Sequence, residues 1–120
     1  MNSKKEAILD TSKVYYLSHP FTSYGNPVQN QLSAAHIQME LTIRYKINII
    51  NPIVLLPFGI PNDPAMVKCK HLYNACDVVI LCPGWEQSTG CNEEDQWSIN
   101  DGKPVYILND KYELELKIAG

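Results

Sequence analysis

No stretch of this sequence stays apolar for anything near the ~20 residues that cross a bilayer, which excludes a spanning helix. Residues 1–12 (MNSKKEAILDTS) are polar and lack the apolar centre of a secretory leader, so a cytoplasmic protein with no membrane partner is expected. A basic excess is also missing. Ten Lys and Arg stand against 13 Asp and Glu, a formal charge of −3, which argues against a binder of nucleic-acid polymers. Neither a GxGxxG run nor a GxxxxGK run followed by Ser or Thr occurs, so dinucleotide and triphosphate sites are not signalled. Cys69, Cys76, Cys82 and Cys91 form no CxxC pair and no paired-knuckle spacing. Reduced structural thiols are expected, with no metal and no cofactor.

What is present suffices for one domain over 1–120. Apolar types make up 45% and charged types 19%, the proportions of a globular chain with a core. Residues 1–12 read as a flexible N-terminus. Residues 13–18 (KVYYLS) are β-branched and aromatic and run into Pro20, which reads as a buried strand. Turn chemistry at Tyr24-Gly25-Asn26-Pro27 precedes a helix over 28–46. It is marked by Leu32, Ala35 with His36, Met39 and Ile43 at three- and four-residue steps.

A short strand at 47–51 closes at Pro52. The proline-rich stretch 52–64 reads as irregular, and Asp63-Pro64 reads as a cap and first position of a helix reaching about Cys76. Residues 77–82 (DVVILC) form the continuous apolar run of a parallel strand covered on both faces. A helix over 90–101 ends at Gly102, and a strand follows over 104–108. The alternating tail 112–118 reads first as an edge strand, with a last helix as its competitor. The alternation predicts an α/β fold: a doubly wound, flavodoxin- or Rossmann-like parallel sheet of four or five strands with helices on both faces.

Ligands on such sheets sit beyond the carboxyl ends of the strands, where the loops at 18–26, 52–63 and 83–90 converge. Pro20, Pro52, Pro57, Pro61 and Pro83 lie at or beyond those strand ends. In the first loop Ser18, His19 and Asn30 suit an anion or sugar site, or equally ordinary turn and cap chemistry. His36 and His71 fall in helical patterns and read as surface or packing residues. In the third loop Pro83-Gly84 turns the chain out of the sheet and Trp85 offers a flat apolar face. Ser88-Thr89-Gly90 opens a helix, and Glu94 follows near the end of its first turn. A carboxylate there can attack the anomeric carbon of a sugar as its glycosidic bond breaks, given a donor to hold it ionised. The blander reading is that Glu93, Glu94 and Asp95 are acids favoured near a helix start. With Glu86 they would gather part of the negative charge around one site.

Tyr16-Leu17-Ser18-His19-Pro20, Asn30, Cys76-Asp77 and the stretch from Leu81 through Pro83-Gly84-Trp85-Glu86, Ser88 and Gly90 to Glu94 together resemble the nucleoside 2-deoxyribosyltransferase-like superfamily. More narrowly they resemble a small branch common in phages and bacteria. The likeness runs from about residue 13 to 108. It implies cleavage or exchange of the N-glycosidic bond of 2′-deoxynucleosides or their 5′-monophosphates, with Glu94 as nucleophile and Tyr16 beside it. It also implies Ser88 at the 5′-phosphate, with Ser18, His19, Pro20, Asn30, Pro83, Gly84, Trp85 and Gly90 lining the substrate. Two positions depart from the pattern. Cys69 stands where the hydrolases carry an aspartate that assists base departure, and Phe21, Thr22 and Ser23 occupy a loop that carries an arginine. The resemblance further implies a homodimer or homotetramer whose pocket is completed by a neighbouring subunit, touching the helix with Trp97 and the region after Asn109. The alternative is a non-catalytic protein of the same fold that holds a nucleotide or an ADP-ribose-type signal.

Overall fold

The computed structural model describes residues 9–22, 24–57 and 59–118. The core starts with strand β1 (Val14–Ser18), whose alternation sends Tyr15 and Leu17 to one face of the sheet and Tyr16 and Ser18 to the other. Asp77 fixes its start. The Val14 amide donates to Asp77 Oδ2 at 2.9 Å, and the Asp77 amide donates to the Val14 carbonyl at 2.8 Å. Four strands run parallel: β1, β2 (Asn48–Ile50), β3 (Val78–Leu81) and β4 (Val105–Leu108). The fifth, β5 (Leu114–Leu116), lies antiparallel on β4. The order is β2-β1-β3-β4-β5. All four residues of β3 are buried, as its unbroken apolar run requires.

Right-handed crossovers place helix α1 (Pro27–Tyr45) on one face of the sheet, because β1 to β2 moves one way across it. The later crossovers move the opposite way, so α2 (Asn62–Asn74) and α3 (Thr89–Asp101) share the other face. The expected α/β architecture with helices on both faces is therefore present, with five strands and one antiparallel edge. The tail is the edge strand, not the helix.

Local chemistry sets the helix ends. The Asn26 side chain accepts from the amides of Val28 and Gln29, Pro27 occupies the first position, and Lys46 closes α1 in the left-handed region. Ser88 caps α3 and Gly102 ends it at φ +72°. The start of α2 departs from expectation. It begins at Asn62, so Asp63 is in the first turn rather than at the cap, and Pro64 sits third, where a helix has no use for its N–H. The stretch expected to be irregular contains a 3₁₀ turn at Pro52–Leu55. Lys103 closes the end of α2, donating to the carbonyls of Tyr73 and Cys76 at 3.0 and 2.7 Å.

The segment expected to be a flexible N-terminus lies outside the described residues up to position 8. From Leu9 it is tied down: Leu9 packs on the core and the Tyr15 hydroxyl donates to the Asp10 carbonyl at 2.9 Å. The periodic stripe that marks α1 is not the stripe it buries. Ala34, Ile37 and Leu41 face the sheet, while Leu32, Met39 and Ile43 face outward. Among the described residues no helix is long and apolar enough to cross a membrane.

Candidate active site

Tyr16 and Ser18 leave β1 on the face covered by α2 and α3, two residues apart and so side by side. Both meet Glu94. The Tyr16 hydroxyl donates to Glu94 Oε2, and the Ser18 hydroxyl donates to Oε1 at 2.6 Å. Glu94 is 5% exposed, and Tyr16 and Ser18 are wholly covered. Burial pushes the Glu94 carboxyl up from its usual 4.5 to about 7, while the bonds from Ser18 and Tyr16 pull it back. Burial, reinforced by the Glu94 charge, raises the Tyr16 phenol, so it stays a donor. Glu94 is the sixth residue of α3, in its second turn. The first turn contains no acid, which removes the helix-start explanation for this carboxylate.

The gathering of negative charge is also narrower than expected. Glu86 and Glu93 are exposed, and Asp95 turns away from the cleft to Lys117, 3.4 Å from its Nζ. Glu94 alone reaches the site. It lines a narrow cleft at the carboxyl ends of the strands with a cavity volume of about 30 Å³, well under the span of small-molecule sites. Of the residues expected to act on or bind substrate, His19, Ser88, Gly90 and Glu94 line it.

Others build its frame. The Asn30 side chain donates to the carbonyls of Phe21 and Tyr24 and so braces the first loop. Pro20 is fully buried and packs beneath Gly84, where a Cβ would come within 3.3 Å of its ring. Gly84 sits at φ +90°, and the same Cβ would meet the Tyr24 ring at 2.7 Å. Pro83 is exposed, and Trp85 is half-buried against the core rather than on the cleft wall.

His19, on the cleft wall, is fixed by both ring nitrogens. Its Nδ1 lies 2.8 Å from the Pro20 carbonyl, which only accepts, so Nδ1 carries the proton and Nε2 accepts from the Ser33 hydroxyl at 3.1 Å. Burial lowers its pKa, keeping the ring neutral. Ser88 caps α3 by accepting from the Cys91 amide at 3.2 Å. His36 and His71 are exposed, as expected.

Several residues of the site carried no motif. Asn92 donates to the carbonyls of Trp85, Glu86 and Ser88, locking the third loop as Asn30 locks the first. Ile53, Leu56, Asn62, Ala65 and Met66 also line the cleft, with Cys91 and with Phe21 and Thr22 from the loop that departs from the superfamily pattern. Cys69 lies on the buried face of α2, interacts with both Glu94 and Tyr16, and lines the same cleft. Burial, then the Glu94 charge, pushes its thiol up to about 12. All four cysteines are buried and free. Among the described residues no group of three or more His, Cys, Asp or Glu could hold a metal.

No curated protein matches the chain. Residues 8–107 match DUF4406, a domain of unknown function, and with most of its length inside that match the chain belongs to the DUF4406 family.

Proposed function

We propose that the protein is an N-glycosidase or deoxyribosyltransferase acting on a 2′-deoxynucleoside 5′-monophosphate or a related nucleotide. The observation that carries this reading is the Glu94 carboxylate, buried at the mouth of the sheet with a hydroxyl on each oxygen and titrating near 7. Burying a lone carboxylate is costly, and a folded core has no structural need for one there. A nucleophile needs that placement. It is ionised in a large fraction at neutral pH, weakly solvated and fixed in direction.

In the reaction a Glu94 oxygen attacks C1′, and the bond from C1′ to the base nitrogen breaks with its electron pair leaving on the base. The base takes a proton from water. The glycosyl ester is then opened by water in a hydrolase or by a second base in a transferase, and either restores the carboxylate. Tyr16 and Ser18 keep the carboxylate aimed, and Ser88 with Gly90 at the start of α3 faces the 5′ end. The resemblance to the nucleoside 2-deoxyribosyltransferase-like superfamily supports the same assignment and brings with it a cytoplasmic homodimer or homotetramer.

One observation favours a second reading. Cys69 occupies the cleft where an assisting acid would stand, and a thiol at about 12 is a poor proton donor. A binder of a nucleotide or ADP-ribose-type signal needs the cleft without that acid. Incubation with each 2′-deoxynucleoside 5′-monophosphate, followed by chromatography for free base, separates the two. Base release that Glu94→Ala abolishes is the expected result. No release, together with tight nucleotide binding by calorimetry, would establish the binder instead.

A further inference from the structure

α1 has two apolar faces. The inner one, Ala34, Ile37 and Leu41, packs on the sheet. The outer one carries Val28, Leu32, Met39 and Ile43, which are 43%, 61%, 49% and 65% exposed, with Ala35 exposed between them. At 100° per residue these five fall within one narrow stripe opposite the buried face. The helix is also poor in charge: of its 19 residues only Glu40 and Arg44 are permanently ionised. Depletion of charge around exposed apolar side chains is the composition of an interface centre, not of a solvated helix.

We propose that this outer face of α1 is a homodimer interface in which two copies of the helix pack antiparallel about a two-fold axis between Ala35 and His36. This inference is independent of the glycosidase reading. Its basis is self-complementarity. Val28 and Ile43 lie equally far from that axis on either side, as do Leu32 and Met39. A two-fold rotation therefore sets Val28 against Ile43 of the partner subunit and Leu32 against Met39 of the partner subunit. The small Ala35 at the centre lets the helices approach.

The four-and-three spacing is that of a left-handed helix pair, and antiparallel packing brings each helix start beside the other's end, which the helix dipoles favour. The four large side chains leave roughly 400 Å² of apolar surface in water, as much as the whole largest patch of an ordinary monomer. With its polar flanks, a seam ~22 Å long approaches the ~800 Å² per partner of a standard interface. His36, paired with Glu40 at 3.6 Å and edge-on to Tyr112, lies at the rim.

Sedimentation equilibrium of the full chain tests this. The expected mass is twice 13.6 kDa at micromolar concentration, falling to one chain in the double variant Leu32→Glu, Met39→Glu with its circular dichroism unchanged. Because the natural cysteines are buried, a single new thiol reports the geometry. Oxidised Ala35→Cys should link two copies across the axis, while Val28→Cys should not link to itself. A wild-type monomer at about 100 µM would overturn the proposal and leave the stripe to a different partner. A dimer that survives the double variant would move the contact to another face, such as that of Trp97. Linking at Val28→Cys would replace the antiparallel pair by a parallel one.

Discussion

The Tyr16 hydroxyl donates to the carboxylate of Glu94, 78 residues further along the chain, and this contact joins the first strand of the sheet to its last helix. It exists because two periodicities meet. Strand alternation turns Tyr16 and Ser18 to the same face, and the α3 helix, capped by Ser88, brings Glu94 in its second turn over that face. The Tyr73 ring on α2 sits edge-on to Tyr16 at 6.0 Å and backs the phenol from behind.

Removing the phenol hydroxyl tests what it does for the carboxylate. Tyr16→Phe fills the same space but takes away one bond that favours the ionised form of Glu94, so the Glu94 pKa should rise further above about 7. If base release depends on the carboxylate, the rising limb of kcat/KM against pH should move to higher pH. The rate near neutrality should fall by about 10- to 100-fold, the worth of one hydrogen bond to a charged group. A limb that stays in place would show that Tyr16 does not support ionisation.

Glu94 also makes stability depend on pH in an unusual direction for a carboxylate. Its folded pKa of about 7 lies above the ordinary 4.5, so between those values the folded chain holds a proton that the unfolded chain releases. The group therefore costs nothing below 4.5. It removes stability progressively as pH rises, by about 3 kcal/mol once pH passes 7. Glu94→Gln should be more stable than the wild type at pH 8 by that order, and the two should converge at pH 4. Urea midpoints at both pH values measure this, and parallel curves would contradict it.

The thiols should be silent in the folded protein. Burial pushes Cys69 and Cys91 up to about 12 and Cys76 up to about 11, and raises Cys82 well above its usual range. At pH 8 almost none of them is a thiolate, and none is exposed to a reagent. An aromatic disulfide reagent should titrate no thiol within minutes in native buffer and four in guanidinium. Rapid reaction of even one native thiol would refute its burial, and at Cys69 or Cys91 that of the cleft wall.

Gly84 is required by both its backbone and its neighbours. At φ +90° a side chain is strained, and its Cβ would meet the Tyr24 ring at 2.7 Å. Gly84→Ala should destabilise by about 1–2 kcal/mol and lower Tm by about 5 °C. Adding Tyr24→Ala relieves the clash but not the strained φ, so it should restore part of the loss. Full restoration would mean the backbone tolerates a side chain there.

Much of this arrangement was legible in the residues because it is set locally. Strand character at Val14–Ser18, the apolar run of β3, the Asn26-Pro27 and Ser88 caps and the Gly102 stop each act within a few residues of themselves. Ser18 at a strand end and Glu94 at a helix start after a strand could be singled out for the same reason, whereas Tyr16 was placed beside Glu94 by the superfamily resemblance. The bracing roles of Asn30 and Asn92 were not legible. An amide side chain that reaches carbonyls four to nine residues away is chosen by the path of the loop, not by its neighbours in sequence.

The sequence by itself determined the alternation of strands and helices and the placement of three loops at one end of the sheet, because those follow from chain-local propensity and the handedness of crossovers. Only the tertiary structure decided which stripe of α1 turns inward. Both stripes have helical spacing, and a periodicity does not say where the sheet lies. It likewise decided the antiparallel run of β5 and the removal of Glu93 and Asp95 from the site. The pKa of Glu94 is tertiary too: the carboxylate owes it to burial and to two hydroxyls that reach it only once β1 and α3 have packed.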